Sequence, residues 1–142
     1  MKLEMTGGKT FSTSLLKNAV VYFYPRDNTP GCTQEGADFA AQAKAFAKLG
    51  FTIYGVSADS IASHEKFKAK MNFPFELISD PDWELCQKFG VIQMKSLYGR
   101  KYEGIERSTF LIGKAGKILR EWRGVKVKVH VAEVLAAAKE LA

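Results

Sequence analysis

Two patterns of apolar residues alternate along the chain, short continuous runs that predict strands and positions spaced by three and four that predict helices. Short apolar runs bounded by Pro, Gly or polar residues predict strands at residues 19–24, 51–57, 75–79, 108–112 and 117–122. Apolar positions three and four apart predict helices from about 32 to 48, 60 to 71 and 127 to 141, and a short helix from 80–82 to Gly90. Residues 91–106 are polar and punctuated by glycine, so we expect a loop there.

These elements predict the class of the fold. Short β-like pieces at residues 2–6 and 9–12 flank Gly7-Gly8 and predict an N-terminal hairpin. Strands then alternate with helices, and a β-hairpin and a final helix close the chain, which indicates an α/β layered domain. A chain of 142 residues is long enough for one domain with a substantial core, so we expect residues 1–142 to form a single domain.

Composition narrows the classes of function. No apolar stretch approaches the ~18 residues of a membrane span, and the N-terminus lacks a basic-then-apolar signal. Two cysteines are too few for a secreted disulfide scaffold, so we expect a cytoplasmic protein without membrane contact. The net charge of +6 suggests nucleic acid as a possible class of partner, but the excess of basic residues is spread along the chain. Only residues 117–128 are locally basic, as a solvated strand edge would be, so we expect no nucleic-acid binding.

The candidate chemistry lies where the first central strand gives way to a helix. Cys32 is predicted at that helix N-terminus, where unpaired N–H groups and the macrodipole favour an anion. A thiol so placed ionises readily, which makes Cys32 a candidate nucleophile. Thr29 can turn a hydroxyl towards the same point, and Glu35, one turn on, could orient a cation. The alternative for a single cysteine on an apolar helical face is a small buried hydrophobe.

The motif around Cys32 is similar to the signature of a known protein family. Pro25-x-x-x-Thr29-x-x-Cys32 resembles the active-site signature of the peroxiredoxins, and the longer string over residues 23–35 resembles their Q-type, or bacterioferritin-comigratory, branch. Segments 54–57, 78–80 and 107–112 are similar to that family as well, so the resemblance covers residues 9–140. It implies the peroxiredoxin variant of the thioredoxin-like fold, with a central mixed β-sheet flanked by helices, and a thiol-dependent peroxidase without cofactor or metal.

The resemblance also implies roles for individual residues. The Cys32 thiolate would attack a hydrogen peroxide or organic hydroperoxide molecule and become a sulfenate. The backbone N–H groups at the helix start and the Thr29 hydroxyl would stabilise the reacting oxygens, while Pro25 would fix the loop and exclude water. Arg107 matches the arginine that peroxiredoxins place beside the cysteine, and Glu35 would hold that arginine.

The sequence departs from the family at the step that restores the thiol. Many Q-type members carry a second cysteine five residues after the first, where this chain has Ala37, or in the following helix, where it has none. Cys86 is the only other cysteine, and it shares a helical face with Trp83 and Phe89, as a packed core thiol would. We therefore expect a one-cysteine cycle in which thioredoxin or another external thiol attacks the sulfenate. In this branch a monomer is usual, with a dimer as the alternative.

Two other functions remain open at this stage. A thiol–disulfide oxidoreductase of the same fold class would need Cys-x-x-Cys, but Glu35 stands at the fourth position. The other is a non-enzymatic role, as a holdase or as a redox sensor that retains the same thiol but does not turn over. A metal protein is not expected, because His64 has no second ligand at metal spacing and is interpreted as a surface or hydrogen-bonded histidine.

Overall fold

A computed structural model describes residues 1–142 and contains nine strands and five helices. The strands are β1 (Lys2–Met5), β2 (Lys9–Ser12), β3 (Ala19–Phe23), β4 (Thr52–Ser57), β5 (Glu76–Ser79), β6 (Ile92–Leu97), β7 (Arg100–Ile105), β8 (Ser108–Ile112) and β9 (Ile118–Arg123). The helices are α1 (Pro30–Ala41), α2 (Ala43–Lys48), α3 (Ile61–Met71), α4 (Glu84–Lys88) and α5 (His130–Leu141). None of the helices has the length and apolar character needed to cross a bilayer.

Seven strands form one mixed sheet in the order β2-β1-β5-β4-β3-β8-β9. Strands β3, β4 and β5 run parallel to one another, while β8 pairs with β3 in the antiparallel sense. The central strands β3 and β8 are buried at every position because helices or loops cover both faces of the sheet. The predicted central mixed sheet and N-terminal hairpin are confirmed.

The sheet divides the core into two layers. Side chains alternate across a strand, so Tyr22 and Tyr24 of the β3 segment face one layer while Val21 and Phe23 face the other. The first layer contains Cys32 of α1 together with apolar residues of α5. The second contains Cys86 and its neighbours in α4. The two cysteines therefore belong to different layers.

The prediction of a loop at residues 91–106 is wrong. Strands β6 and β7 pair there as a separate two-stranded antiparallel ribbon, from Ile92↔Ile105 to Leu97↔Arg100. Tyr98 and Gly99 both have positive φ, at 51° and 78°, as a two-residue hairpin turn of the primed type requires. Most side chains of the ribbon are exposed, so no apolar alternation marks these strands in the sequence.

Helix boundaries also differ from the predictions. The helix expected over residues 32–48 begins two residues earlier at Pro30, which suits the first turn because proline lacks an N–H. It is interrupted at Gln42 and becomes α1 and α2. The helices expected from residues 80–82 and from 127 begin at Glu84 and His130, each directly after a residue in the left-handed conformation. By contrast, Ser60 caps α3 as predicted, with its hydroxyl oxygen accepting from Ser63 N at 3.1 Å.

Candidate active site

Cys32 is the third residue of α1 and is only 2% exposed. The first intrahelical bond of α1 runs from Thr33 N to Thr29 O at 2.8 Å. The N–H groups of Gly31 and Cys32 precede that bond and have no partner within the helix. In an α-helix such N–H groups are directed towards the N-terminal end, where the loop from β3 enters α1.

The segment between β7 and β8 supplies a guanidinium to the same point. Arg107 Nη2 donates to Cys32 Sγ at 3.3 Å, and Nη1 donates to Glu35 Oε1 at 2.6 Å. Glu35 is fully buried, whereas 15% of the Arg107 side chain is exposed. A Cβ at Gly31 would lie 3.1 Å from Nη2, so the absence of a side chain there leaves room for the guanidinium. Residues more than 70 positions apart thus form one chain of contacts from carboxylate to sulfur.

The charges of this group support one another. Burial raises the pKa of Glu35 to about 7, although Arg107 acts in the opposite direction. Burial also disfavours the charged guanidinium, but Glu35 and Cys32 outweigh it and raise the pKa of Arg107. Arg107 is therefore a permanent cation against the sulfur.

Thr29 and Pro25 lie in the loop before α1, and neither is hydrogen-bonded to the Cys32 sulfur. The Thr29 hydroxyl donates to the Arg26 carbonyl oxygen at 3.0 Å, so its hydrogen is not directed at Cys32. Its oxygen keeps lone pairs that can accept a hydrogen bond. Pro25 is exposed at the other end of the loop. Both residues line the cavity described next.

A cavity of about 610 Å³ opens between this loop and the β6–β7 ribbon. Apolar side chains line much of it, and four charged residues do so as well, the cations Arg26 and Lys95 and the acids Asp59 and Glu103. The lining residues are Pro25, Arg26, Thr29, Ala58, Asp59, Trp83, Lys95, Leu97, Tyr102, Glu103, Gly104 and Ile105. The ribbon that the sequence did not predict therefore forms one wall of this cavity, which Thr29 joins to the loop before Cys32.

A buried hydrogen-bond network holds the loop from below, and the sequence pattern does not predict it. Asp27 Oδ1 accepts from the Tyr24 hydroxyl at 2.6 Å, and Oδ2 bonds the Ser63 hydroxyl and His64 Nδ1, both at 2.7 Å. His64 Nε2 bonds the Ile78 carbonyl at 2.9 Å. The surface interpretation of His64 is wrong because the ring is fully buried, and the hydrogen-bonded interpretation is right. Ser63 and His64 are 36 and 37 residues from Asp27, so no local pattern reveals the contacts.

The same network contains the residues that could hold a cation. Ligand-type atoms of Asp27, Asp59 and His64 lie within 4.8 Å of one another. These groups already have partners in the chain, since Asp59 Oδ2 accepts from Ser57 Oγ at 2.6 Å and from Asp27 N at 2.8 Å. Hydrogen bonding accounts for the cluster without an ion.

Cys86 has a different environment from Cys32. It is fully buried in the layer on the opposite face of the sheet, and neither cysteine forms a disulfide. Burial and the neighbouring Asp80 raise the pKa of the Cys86 thiol well above its ordinary value. A protonated, enclosed thiol is a poor nucleophile. The site thus brings together Cys32, Arg107 in contact with its sulfur and Glu35 bonded to that arginine, while Thr29 and Pro25 line the cavity.

Comparisons with known proteins give a consistent result. The AhpC/TSA family matches residues 1–120. Peroxiredoxin Bcp of Bacillus subtilis is 49% identical over 143 residues, which cover 98% of this chain and 91% of that protein. A cysteine-to-serine mutant of Xanthomonas campestris Peroxiredoxin Q superposes with a TM-score of 0.95 at 47% identity, covering 100% of this chain and 92% of that one.

A further Xanthomonas campestris structure bears on activity. It is the bacterioferritin comigratory protein, in trapped intermediate and ligand complexes that address its alkyl peroxide reduction activity. It has a TM-score of 0.93 and 46% identity, and the match covers 99% of this chain and 90% of that one.

Proposed function

Since this chain belongs to the AhpC/TSA family, as a peroxiredoxin of the Bcp or Q type, we propose that Cys32 is its peroxidatic cysteine. The family confirms the predicted thioredoxin-like peroxiredoxin fold and the prediction that the chain is an enzyme, a thiol-dependent peroxidase. Peroxide is its substrate and a thiol is its reductant. One observation carries the assignment to Cys32, the contact of 3.3 Å between Arg107 Nη2 and Sγ.

The proposed reaction follows from the donors around the sulfur. The Cys32 thiolate attacks the terminal oxygen of a hydroperoxide, so that an S–O bond forms while the O–O bond breaks. Negative charge then moves from sulfur to the leaving oxygen. Arg107 and the N–H groups of Gly31 and Cys32 are positioned in advance for that charge, which lowers the barrier without reorganisation.

The remaining site residues have supporting roles in this proposal. Glu35 holds the guanidinium through the bond of 2.6 Å. Thr29 offers its oxygen as an acceptor for the peroxide O–H, because its own hydrogen is given to Arg26. Pro25 limits the flexibility of the loop and covers one side of the cavity.

Hydrogen peroxide and organic hydroperoxides are the proposed substrates. The alkyl peroxide reduction activity of the Xanthomonas relative supports organic substrates for this chain. The cavity also supports them, since Pro25, Trp83, Leu97 and Ile105 give it apolar walls that an alkyl group can contact.

We propose a one-cysteine cycle. The sheet lies between Cys32 and Cys86, and both are at most 2% exposed. A disulfide needs the Cα atoms within about 7 Å, which would require α1 or α4 to leave the sheet. The Cys32 sulfenate is then attacked by thioredoxin or another external thiol, which gives a mixed disulfide that a second thiol resolves.

A thiol–disulfide oxidoreductase is less well supported. Its second cysteine would stand at Glu35, whose carboxylate is bonded to Arg107. A redox sensor would use the same thiol without turnover, and steady consumption of peroxide with a thiol distinguishes the two. We propose that the chain acts as a cytoplasmic monomer formed by the single domain 1–142, without metal, cofactor or nucleic acid; sedimentation would reveal a dimer.

Intact-mass analysis after one equivalent of peroxide tests the assignment. With dimedone present, we expect wild type to gain one adduct, located on Cys32 by peptide mapping. Cys32→Ser should gain none, and Cys86→Ala should gain the same adduct as wild type. An adduct on Cys86, or oxidation of wild type no faster than that of free cysteine, would refute the assignment.

A further inference from the structure

Lys95 of β6 is a cation without a partner. It makes no hydrogen bond and no ion pair, although much of its side chain is withdrawn from solvent. Its stem packs along Gly104, where a Cβ would come within 3.4 Å of Lys95 Cδ and 3.5 Å of Cε. The chain therefore places this lysine rather than leaving it to move freely in solvent.

The position of Lys95 relates it to the reactive sulfur. It lines the cavity together with Pro25 and Thr29 of the loop that leads to Cys32. Burial and Arg107 lower the pKa of Lys95, whereas Cys32 and Glu106 act in the opposite direction without offsetting them. A partly desolvated ammonium is costly unless negative charge appears beside it. The reaction creates such a charge on the leaving oxygen.

We propose that Lys95 is a catalytic residue that donates a proton to the oxygen leaving the hydroperoxide; this rests on the proposed function of Cys32. The thiolate gives an electron pair to the terminal oxygen, the O–O bond breaks, and the other oxygen departs with that bond's pair. The sulfur is oxidised to sulfenic acid and keeps the terminal oxygen with its hydrogen. The leaving alkoxide takes a proton from Lys95 Nζ and becomes an alcohol, and the neutral amine regains a proton from water in the open cavity.

Arg107 cannot perform this transfer. A guanidinium does not release its proton under physiological conditions, so Arg107 stabilises charge but leaves the alkoxide basic. Lysine can act as an acid, and its lowered pKa makes the transfer easier. The two cations would therefore have separate roles. Arg107 stabilises the negative charge as it moves from the sulfur to the leaving oxygen, and Lys95 gives that oxygen its proton.

Two peroxides of similar size separate proton donation from other effects. Ethyl hydroperoxide releases ethoxide, which needs a proton, whereas peracetic acid releases acetate, which does not. The rate of Cys32 oxidation by each is measured by rapid quench and mass spectrometry for wild type, Lys95→Gln, Lys95→Arg and Lys101→Gln. Lys101→Gln removes the same charge from the opposite face of the ribbon and serves as the matched control.

We expect Lys95→Gln to slow oxidation by ethyl hydroperoxide on the order of 10²-fold and to leave peracetic acid nearly unchanged. Lys95→Arg should be as slow as Lys95→Gln with ethyl hydroperoxide, and Lys101→Gln should match wild type. Equal slowing with both peroxides, full rescue by arginine, or no slowing would overturn the role of Lys95. Failure of wild-type Cys32 to oxidise would instead overturn the proposed function, and unchanged thermal melting of each variant shows that the fold is kept.

Discussion

At the scale of single residues, Arg107 has the largest expected effect on the reaction. Its two terminal nitrogens contact different groups, Cys32 Sγ at 3.3 Å and Glu35 Oε1 at 2.6 Å. Such a fork fixes the cation in direction as well as in distance, which a lysine ammonium cannot do. The guanidinium would stabilise the reaction most while the O–O bond breaks, because negative charge then moves from the sulfur to the leaving oxygen.

Arg107→Ala should reduce the second-order rate of Cys32 oxidation by hydrogen peroxide on the order of 10²-fold or more. Arg107→Lys should fall between alanine and wild type, because it keeps a charge but loses the fork. Stopped-flow competition with an indicator peroxidase measures these rates. Arg120→Ala is the control, since Arg120 is exposed on β9 and makes only a long contact of 3.8 Å to Glu140. A wild-type rate in Arg107→Ala would exclude the arginine from the reaction.

The free energy of unfolding should depend on pH through the ionisation of Glu35. Burial raises its pKa from the usual 4.5 to about 7, so the folded chain binds this proton more readily than the unfolded chain. The stability due to protonated Glu35 is therefore complete below pH 4.5 and is lost as pH rises towards 7. Relative to Glu35→Gln, wild type should lose more than about 1 kcal/mol of unfolding free energy between about pH 5 and pH 7.5.

Urea unfolding of both proteins at several pH values measures this difference. Glu4→Gln, the same change at an exposed position of β1, is the control and should show no such slope relative to wild type. A difference between wild type and Glu35→Gln that stays constant over this range would mean that Glu35 is ionised throughout.

At the scale of elements, the loop before α1 depends on α3 for its shape. Asp27 accepts hydrogen bonds from Tyr24 at the start of the loop and from Ser63 and His64 on α3. All but Ser63 of this set is buried, so water cannot replace the lost partner. The helix thus orients the loop that leads into Cys32 although it contributes no residue to the reaction.

Asp27→Ala should destabilise the protein by about 3 kcal/mol or more, because it leaves several buried polar groups without an acceptor. It should also slow Cys32 oxidation, since the loop loses its anchor. Denaturant unfolding and the oxidation rate provide the two readouts. Asp82→Ala is the matched control, as the Asp82 side chain is exposed to solvent. Retention of wild-type stability would show that the network does not support the fold.

Elements differ in how well the sequence predicts them. The buried strands β3 and β8 carry dense apolar runs, so their positions follow from the local pattern. The β6–β7 ribbon does not, because its pairing depends on a turn at Tyr98-Gly99 and its side chains are mostly exposed. The start of α1 differs from the prediction for a related reason, since Pro30 is typical of a loop yet also suits the first turn of a helix.

At the scale of the whole molecule, the central sheet separates the two thiols. Cys32 packs with α5 residues on one face, and Cys86 packs with α4 residues on the other. This arrangement supports turnover through an external thiol, which the sequence suggested by the lack of a cysteine at position 37 or in α3 and by the apolar neighbours of Cys86.

Cys86→Ala should keep the wild-type rate of peroxide consumption with thioredoxin as reductant. The reason is that Cys86 lies on the far side of the sheet and takes no part in the proposed cycle. Coupled NADPH oxidation measures turnover, and Cys32→Ser provides the inactive reference. If Cys86→Ala still forms the sulfenate but stops turning over, an internal disulfide operates and the one-cysteine cycle is wrong.

The candidate site was only partly predictable from sequence. Cys32, Thr29 and Pro25 lie within one short motif, so a family signature finds them together. Arg107 could be identified only through the family resemblance, since it is 75 positions from Cys32 and no local pattern distinguishes it from the other arginines. Lys95 and the Asp27 network carry no signature, because their significance depends on contacts between distant segments.

The isolation of Cys86 behind the sheet has a practical consequence. A small alkylating dye added to the native protein should modify Cys32, which lies against the Arg107 cation, before the fully buried Cys86, so dye uptake counts the intact Cys32 sites in a preparation without any engineered tag. Uptake of a second dye per chain would show that the core layer beneath α4 has opened. The ratio of dye to protein therefore reports the fraction of unfolded chains in a sample.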